Sequence, residues 1–425
     1  MKILLFKVRE YITEENRFGY RTWKELPSHI LLTCRYLRDL GYDVDLKVQD
    51  TYLDHDFAGY DVVAQWLSIA DGLYEGLDYF RVAKKYGAKT AMLLFDDWEG
   101  LQKQILHDYS FVDYGVRGWD SEVNLGQLLA FLDGKNDVIP LTGIVYRTPE
   151  TGKIFDGGRV IHHSDSLSHL KSSRELIEEL GIENYDSHTV RLSSGCPFKC
   201  TFCHIRTQNN RYRVTDDFLD ELSAFPNGST LKFMTADIMA DADWVRRFCN
   251  DVIAKGIRVE WSADCRFNWL KDTELLALMR KAGCYKLDFG VESFHPKMMK
   301  KYRKGYTTEV VDAGIQSLLN AGIIPSINMM IGHPEDDAET LASTCDFIAS
   351  MGKRNVEMVG IQYLRPLPGT PIHNEAVEKG LIPEEYSYKE FTVARHSPML
   401  PTCHLSMEQL ISWKSKMDHA YYNGM

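Results

Sequence analysis

Residues 193–205 read SSGCPFKCTFCHI and set Cys196, Cys200 and Cys203 within eight residues of one another. The spacing Cys-x3-Cys-x2-Cys puts three soft ligands on one short loop, with no fourth cysteine beside them. Structural zinc normally recruits a second Cys or His pair. His204 directly follows Cys203, and adjacent residues converge on one tetrahedral ion only through a sharp turn. A 4Fe–4S cluster is usually held by four thiolates. Three would leave one iron with an open position, where a small molecule could bind.

The surrounding chain shows where this loop sits. "HTVRLSSG" (188–195) is a strand candidate just ahead of it, followed by "STLKFMTA", "IRVEWSA", "YKLDFGVES", "IPSINMMIG" and "VEMVGIQYL". Helical stretches intervene. Gly256, Gly283, Gly322 and Gly352 stand where a left-handed residue would end a helix before the next strand. Asp272 is expected to cap one helix, and Thr215 or Asp216 another. Six βα units predict a partial barrel over 188–382, with its site at the carboxyl ends of the strands. The cysteines fall at that end of the first strand.

Residues 1–145 predict a separate doubly wound, Rossmann-like domain, from "KILLFKV" through alternating helices and strands to "YSFVDYGVRGWDSEVNLGQLLAFLDG". Residues 146–187 read as a linker segment with a hairpin and a short helix, and 383–425 as a C-terminal cap. The fold class is therefore α/β. Of the nine cysteines, six are scattered, which argues against a disulfide framework. A net charge of −11 argues against nucleic acid as a partner. The N-terminus is charged too early for a signal peptide, and no apolar run approaches a membrane span. Together these predict a cytoplasmic protein that meets no membrane.

The cysteine loop resembles that of the radical S-adenosylmethionine (SAM) superfamily, with an aromatic residue, Phe202, before the last ligand. Later stretches are similar to that family strand by strand: "FMTADI", "WSADCRFN", "FGVESFHPKMMKKYRKGYT", "MMIGHPEDDAET" and "GIQYLRPLPGTPIHNEAVEKGLI". The resemblance implies a 4Fe–4S cluster on the three cysteines, with SAM chelated to the open iron. It implies reductive cleavage to a 5′-deoxyadenosyl radical and an external electron donor of flavodoxin or ferredoxin type. It also places Asp237, Arg266, Glu292 and Gly332, with Phe202, around SAM: Arg266 on its carboxylate, Glu292 on its polar groups, Gly332 against the adenine.

The order of the two domains resembles the cobalamin-binding group of that superfamily. Cobalamin itself is left open by the residues. "LDHDFAG" has His55 at the wrong offset for a lower-ligand signature, and Phe95, Asp96, Asp97 and Trp98 stand where small glycines would admit a cofactor tail. Cys403, in "SPMLPTCHLS", lies outside the βα units. A thiol at the barrel mouth could return a hydrogen atom to a substrate radical, as in peptide epimerases of the proteusin type that act on ribosomally made peptides; a buried inert cysteine is the alternative. Three functions follow as expectations: epimerisation of a peptide substrate, cobalamin-dependent methylation, and a non-enzymatic iron–sulfur sensor.

Overall fold

The computed structural model describes all residues except 9–10, 17–18, 69–72, 95–97, 99, 119, 150, 161–165, 206–209, 385–386, 394–396 and 425. The chain forms two compact units. One is Met1–Ser194 with Arg211–Phe225; the other is Gly195–Asn210 with Pro226–Met425.

In the first unit, β1 (Lys2–Val8) is apolar at nearly every position because it lies inside a parallel sheet with both faces covered. β2 (Tyr11–Asn16) and β3 (Gly19–Leu26) pair antiparallel. Next come β4 (Asp43–Gln49), β5 (Val62–Leu67), β6 (Lys89–Leu94) and β7 (Tyr114–Val116). β8 (Ile144–Arg147) and β9 (Ile154–Asp156) form the expected hairpin. The sheet order is β4-β1-β5-β6-β7-β8-β9, parallel as far as β7, the doubly wound pattern expected for the N-terminal domain. Gly41 and Gly87, both at φ near +80°, end helices Ser28–Asp39 and Leu73–Lys85 before β4 and β6. β10 (Ser187–Arg191) pairs with β3, and β11 (Ser193–Ser194) with β12 (Arg211–Tyr212).

In the second unit, β13 (Thr230–Met234), β14 (Glu260–Cys265), β15 (Cys284–Glu292), β16 (Ile324–Ile331) and β17 (Glu357–Tyr363) lie side by side in chain order, all parallel. Helices Ala242–Ala254, Thr273–Lys281, Thr308–Asn320 and Ala338–Gly352 connect them, and the last packs against the terminal helix Met407–Gly424.

Asp272 caps its helix by accepting the Leu275 N–H at 2.9 Å. The cap expected at Thr215 or Asp216 is instead Val214, which has no side-chain acceptor; Thr215 is already the first helical residue. Gly256, Gly283 and Gly322 take positive φ, but Gly352 remains helical, and Asn355 (φ +55°) makes the left-handed turn three residues later. Asparagine tolerates that conformation because its short side chain bonds locally. No described helix is long and apolar enough to cross a membrane.

Candidate active site

The ligand loop leaves β11 through Gly195, at φ +90°. Cys200 is buried, while Cys196 and Cys203 are half-buried. The loop closes on itself through the Cys203 N–H on the Cys200 carbonyl (3.3 Å), and the Ile205 N–H points at the Cys203 Sγ (3.4 Å). Burial pushes the Cys203 thiol up to about 11 and raises Cys196 as well. A bound cation reverses that preference, since a coordinated thiol loses its proton.

The donor set bears on which metal group fits. A tetrahedral zinc with Zn–S near 2.3 Å holds its sulfurs only about 3.8 Å apart. Among the described residues, the one trio of potential donor atoms within 4.8 Å of one another is Asp120, Glu122 and His169; the three cysteines are more widely spread. Three sulfurs held apart on one loop suit the corners of an iron–sulfur cube rather than a single ion. The other trio lies in the first unit and is already neutralised. Asp120 takes a two-oxygen bond from Arg211 (2.8 and 3.0 Å), and Glu122 is paired with Arg191 (3.3 Å) and His169 (2.8 Å).

Strands β14 and β15 bring the next groups to the loop. Arg266 follows β14 and is 7% exposed. Its Nη1 donates to the Cys200 Sγ at 3.3 Å, and its guanidinium lies 3.8 Å over the Phe198 ring. Nε donates to Asn268 Oδ1 (3.3 Å) and Nη2 to the Lys304 carbonyl. Arg266, expected on the SAM carboxylate, thus lies against the Cys200 sulfur. Glu292 ends β15 at φ +67°, a strained conformation for a residue with a Cβ. It accepts from the buried Lys304 Nζ at 3.2 Å. Burial works to lower the Lys304 ammonium, but Tyr306, Glu292 and Cys200 outweigh it and the net direction is upward. An added Cβ on Gly290 would come within 2.1 Å of Glu292 Oε1, so the glycine makes room for this carboxylate.

Lys304 had no assigned role in the sequence reading. Its signal was there, two residues before Tyr306 in "KYRKGYT", but its partner lies twelve positions back and is met only through the fold. Phe202 packs edge-on to Tyr302 (5.6 Å) against an apolar cluster of Met298, Met330, Leu364 and Ile372. Asp237 is fully buried, and both oxygens are engaged: Oδ1 accepts the Met239 N–H (3.3 Å) and Oδ2 the Trp269 Nε1–H (2.7 Å). Burial pushes its carboxyl up to about 6. Gly332 sits at φ +95°, and the N–H groups of Gly332 and His333 both donate to Asp336 Oδ2 at 2.9 Å. The fold thus uses the Gly332 amide to hold the turn after β16. Cys403 is exposed, and its N–H donates to the Pro334 carbonyl at 2.8 Å, fixing it beside that turn.

Phe95, Asp96 and Asp97 lie outside the described residues; Trp98 is 3% exposed, with its carbonyl bonded to Arg117 (3.1 Å). Gly115 and Gly76 make room for the chain's own Gln102 and Leu67 side chains.

Against known proteins, the Radical SAM superfamily profile matches residues 190–348. An uncharacterized methyltransferase of Pyrococcus horikoshii is 21% identical over 319 residues, covering 73% of this chain and 67% of its own. The anaerobic magnesium-protoporphyrin IX monomethyl ester cyclase of Rubrivivax gelatinosus is 25% identical, covering 65% of this chain and 51% of its own. The chain thus spans two thirds of the length of the first of these curated relatives and about half of the second. The radical SAM methyltransferase TsrM of Kitasatospora setae superposes with a TM-score of 0.73 at 15% identity, covering 100% of this chain and 89% of its own. The cobalamin-dependent SAM radical enzyme OxsB gives 0.66 at 14% identity, covering 98% and 61%. At such identities the solved structures establish a shared fold. In residues 190–348 the chain carries a domain of the radical SAM superfamily, whose cofactors are a 4Fe–4S cluster and SAM.

Proposed function

We propose that this chain is an enzyme that cleaves SAM reductively to functionalise an unactivated carbon of its substrate, and that the reaction class is methyl transfer. The observation that carries the reading is the spread three-thiol loop with a buried guanidinium on one sulfur and a buried Lys304–Glu292 pair beside it. When bound, the cluster and SAM supply a 5′-deoxyadenosyl radical, the hard part of the chemistry. The chain's own residues bind and orient. Glu292 and Lys304 present opposite charges suited to the ammonium and carboxylate of the methionine moiety. Arg266, fixed by its stack on Phe198, holds charge next to Cys200. Phe202 and its apolar neighbours keep water from the loop. The methyl-transfer assignment is supported by relatives named methyltransferase or methylase, and a bound corrinoid would supply the methyl group to the substrate carbon, SAM being the source that remethylates it.

A second reading, hydrogen return to a peptide Cα with inversion, is favoured by Cys403, an exposed thiol anchored beside the turn after β16. One experiment separates the two. The protein is reconstituted anaerobically with iron, sulfide and cobalamin, reduced with dithionite, and incubated with SAM and candidate substrates in deuterated water. Methyl transfer expects S-adenosylhomocysteine and a product heavier by one CH2. Inversion expects one deuterium at the carbon and no added methyl, and Cys403→Ala would lose that deuterium while still forming 5′-deoxyadenosine. Failure to form 5′-deoxyadenosine under any condition would overturn both.

A further inference from the structure

We infer that the basic surface at Lys297, Lys300 and Arg303 docks an acidic one-electron reductant, a small protein of the flavodoxin class. The inference rests on the radical SAM reading and adds where the electron enters. The chain carries a net charge of −11, so an acidic partner is repelled over most of its surface. Between Pro296 and Tyr306, however, stand five cations and no acid. Two are consumed internally: Lys301 by Glu335 at 2.7 Å, and Lys304 by Glu292. Lys297 reaches Glu335 only at 4.0 Å. Lys300 and Arg303 are exposed, and among the described residues neither has an acidic partner within ion-pair distance. With Met299, Gly305 and Tyr306 they line a hollow of about 430 Å³. Arg303 adopts φ +55°, a conformation in which glycine would be unstrained and an arginine is not.

The same segment is tied to the ligand loop. Thr201, between Cys200 and Cys203, donates its N–H to the Tyr302 carbonyl (3.3 Å) and its hydroxyl to the Lys301 carbonyl (3.1 Å). A partner seated on Lys300 and Arg303 is therefore one hydrogen-bonded layer from two ligand cysteines. One electron leaves the partner's reduced flavin and enters the cluster; no bond forms or breaks and no proton moves in the step. Steering by opposite charge raises the association rate and fades as salt rises.

The test compares two electron sources on the reconstituted full chain: an enzymatically reduced flavodoxin, and dithionite, which needs no docking face. The variants are Lys300→Glu with Arg303→Glu, and separately Arg303→Gly, which suits the local backbone. Flavodoxin-driven 5′-deoxyadenosine formation should fall at least fivefold at low salt in the first and at least twofold in the second. Dithionite-driven formation should stay within twofold, and raised salt should erase the difference. An unchanged flavodoxin-driven rate in Arg303→Gly, or an equal fall with both reductants in that variant, overturns the docking face. If the unaltered protein forms no 5′-deoxyadenosine with dithionite, the enzymatic reading falls, and this inference with it.

Discussion

At the scale of single residues, the site depends on small groups that make room for charged ones. In Gly290→Ala the new methyl would push the end of the Glu292 side chain away and weaken its bond to Lys304, leaving a buried ammonium less well paired. Loss of one partner of a buried pair costs about 3–5 kcal/mol, less whatever the glutamate recovers by moving. The expected outcome is a lower urea midpoint and weaker SAM binding, with the iron content of the reconstituted protein unchanged; unaltered SAM affinity by calorimetry would remove Glu292 from the pocket. Replacing Cys196, Cys200 and Cys203 together by alanine is expected to abolish iron and sulfide incorporation, and full incorporation would refute the ligand assignment. The cysteine trio is legible in the sequence because three thiols on one loop are a local pattern. Nothing in "DCRFN" tells that the Arg266 guanidinium also meets the Cys200 sulfur.

At the scale of elements, the turn from β16 into helix Ala338–Gly352 is organised by Asp336. Its carboxylate takes two backbone N–H groups, and burial pushes its pKa from 3.8 up to about 6. The native state then holds this proton more tightly than the unfolded chain. The contribution to stability is whole below pH 4 and is lost as pH rises toward 6, amounting to about 3 kcal/mol. Asp336→Asn keeps an acceptor oxygen without the titration. Urea midpoints should fall between pH 4.5 and 6.5 more steeply in the parent than in this variant; identical slopes would contradict the assignment. Most strands could be read as apolar runs closed by glycine, because buried parallel strands leave that signature. The antiparallel β2–β3 pair could not. Its sequence, "YITEENRFGYRTWKEL", is polar and charged, so the pattern that marks a buried strand is missing. Val214 as a cap was equally hidden, since it offers no acceptor.

At the scale of the whole molecule, the two readings of function part over a second cofactor. Methyl transfer in the proposed cobalamin-dependent form expects a corrinoid absorbance band beside the iron–sulfur band in protein purified from cobalamin-replete cells. Hydrogen return from Cys403 expects none. A corrinoid-free protein would therefore sink methyl transfer and leave Cys403 as the residue to test. The division into a Rossmann-like sheet and a second parallel sheet was legible from two runs of alternating elements. The course of β10, which pairs with β3 from the start of the chain, was not, because pairing across 160 positions leaves no local trace.

The left-handed arginine has a practical consequence for anyone improving this protein. Arg303→Gly would relieve about 1–2 kcal/mol of backbone strain, so a library screened for heat tolerance would enrich it. Activity assayed with dithionite would not object to the change. Only a screen run in living cells, where the electron has to arrive on another protein, would count it as a loss.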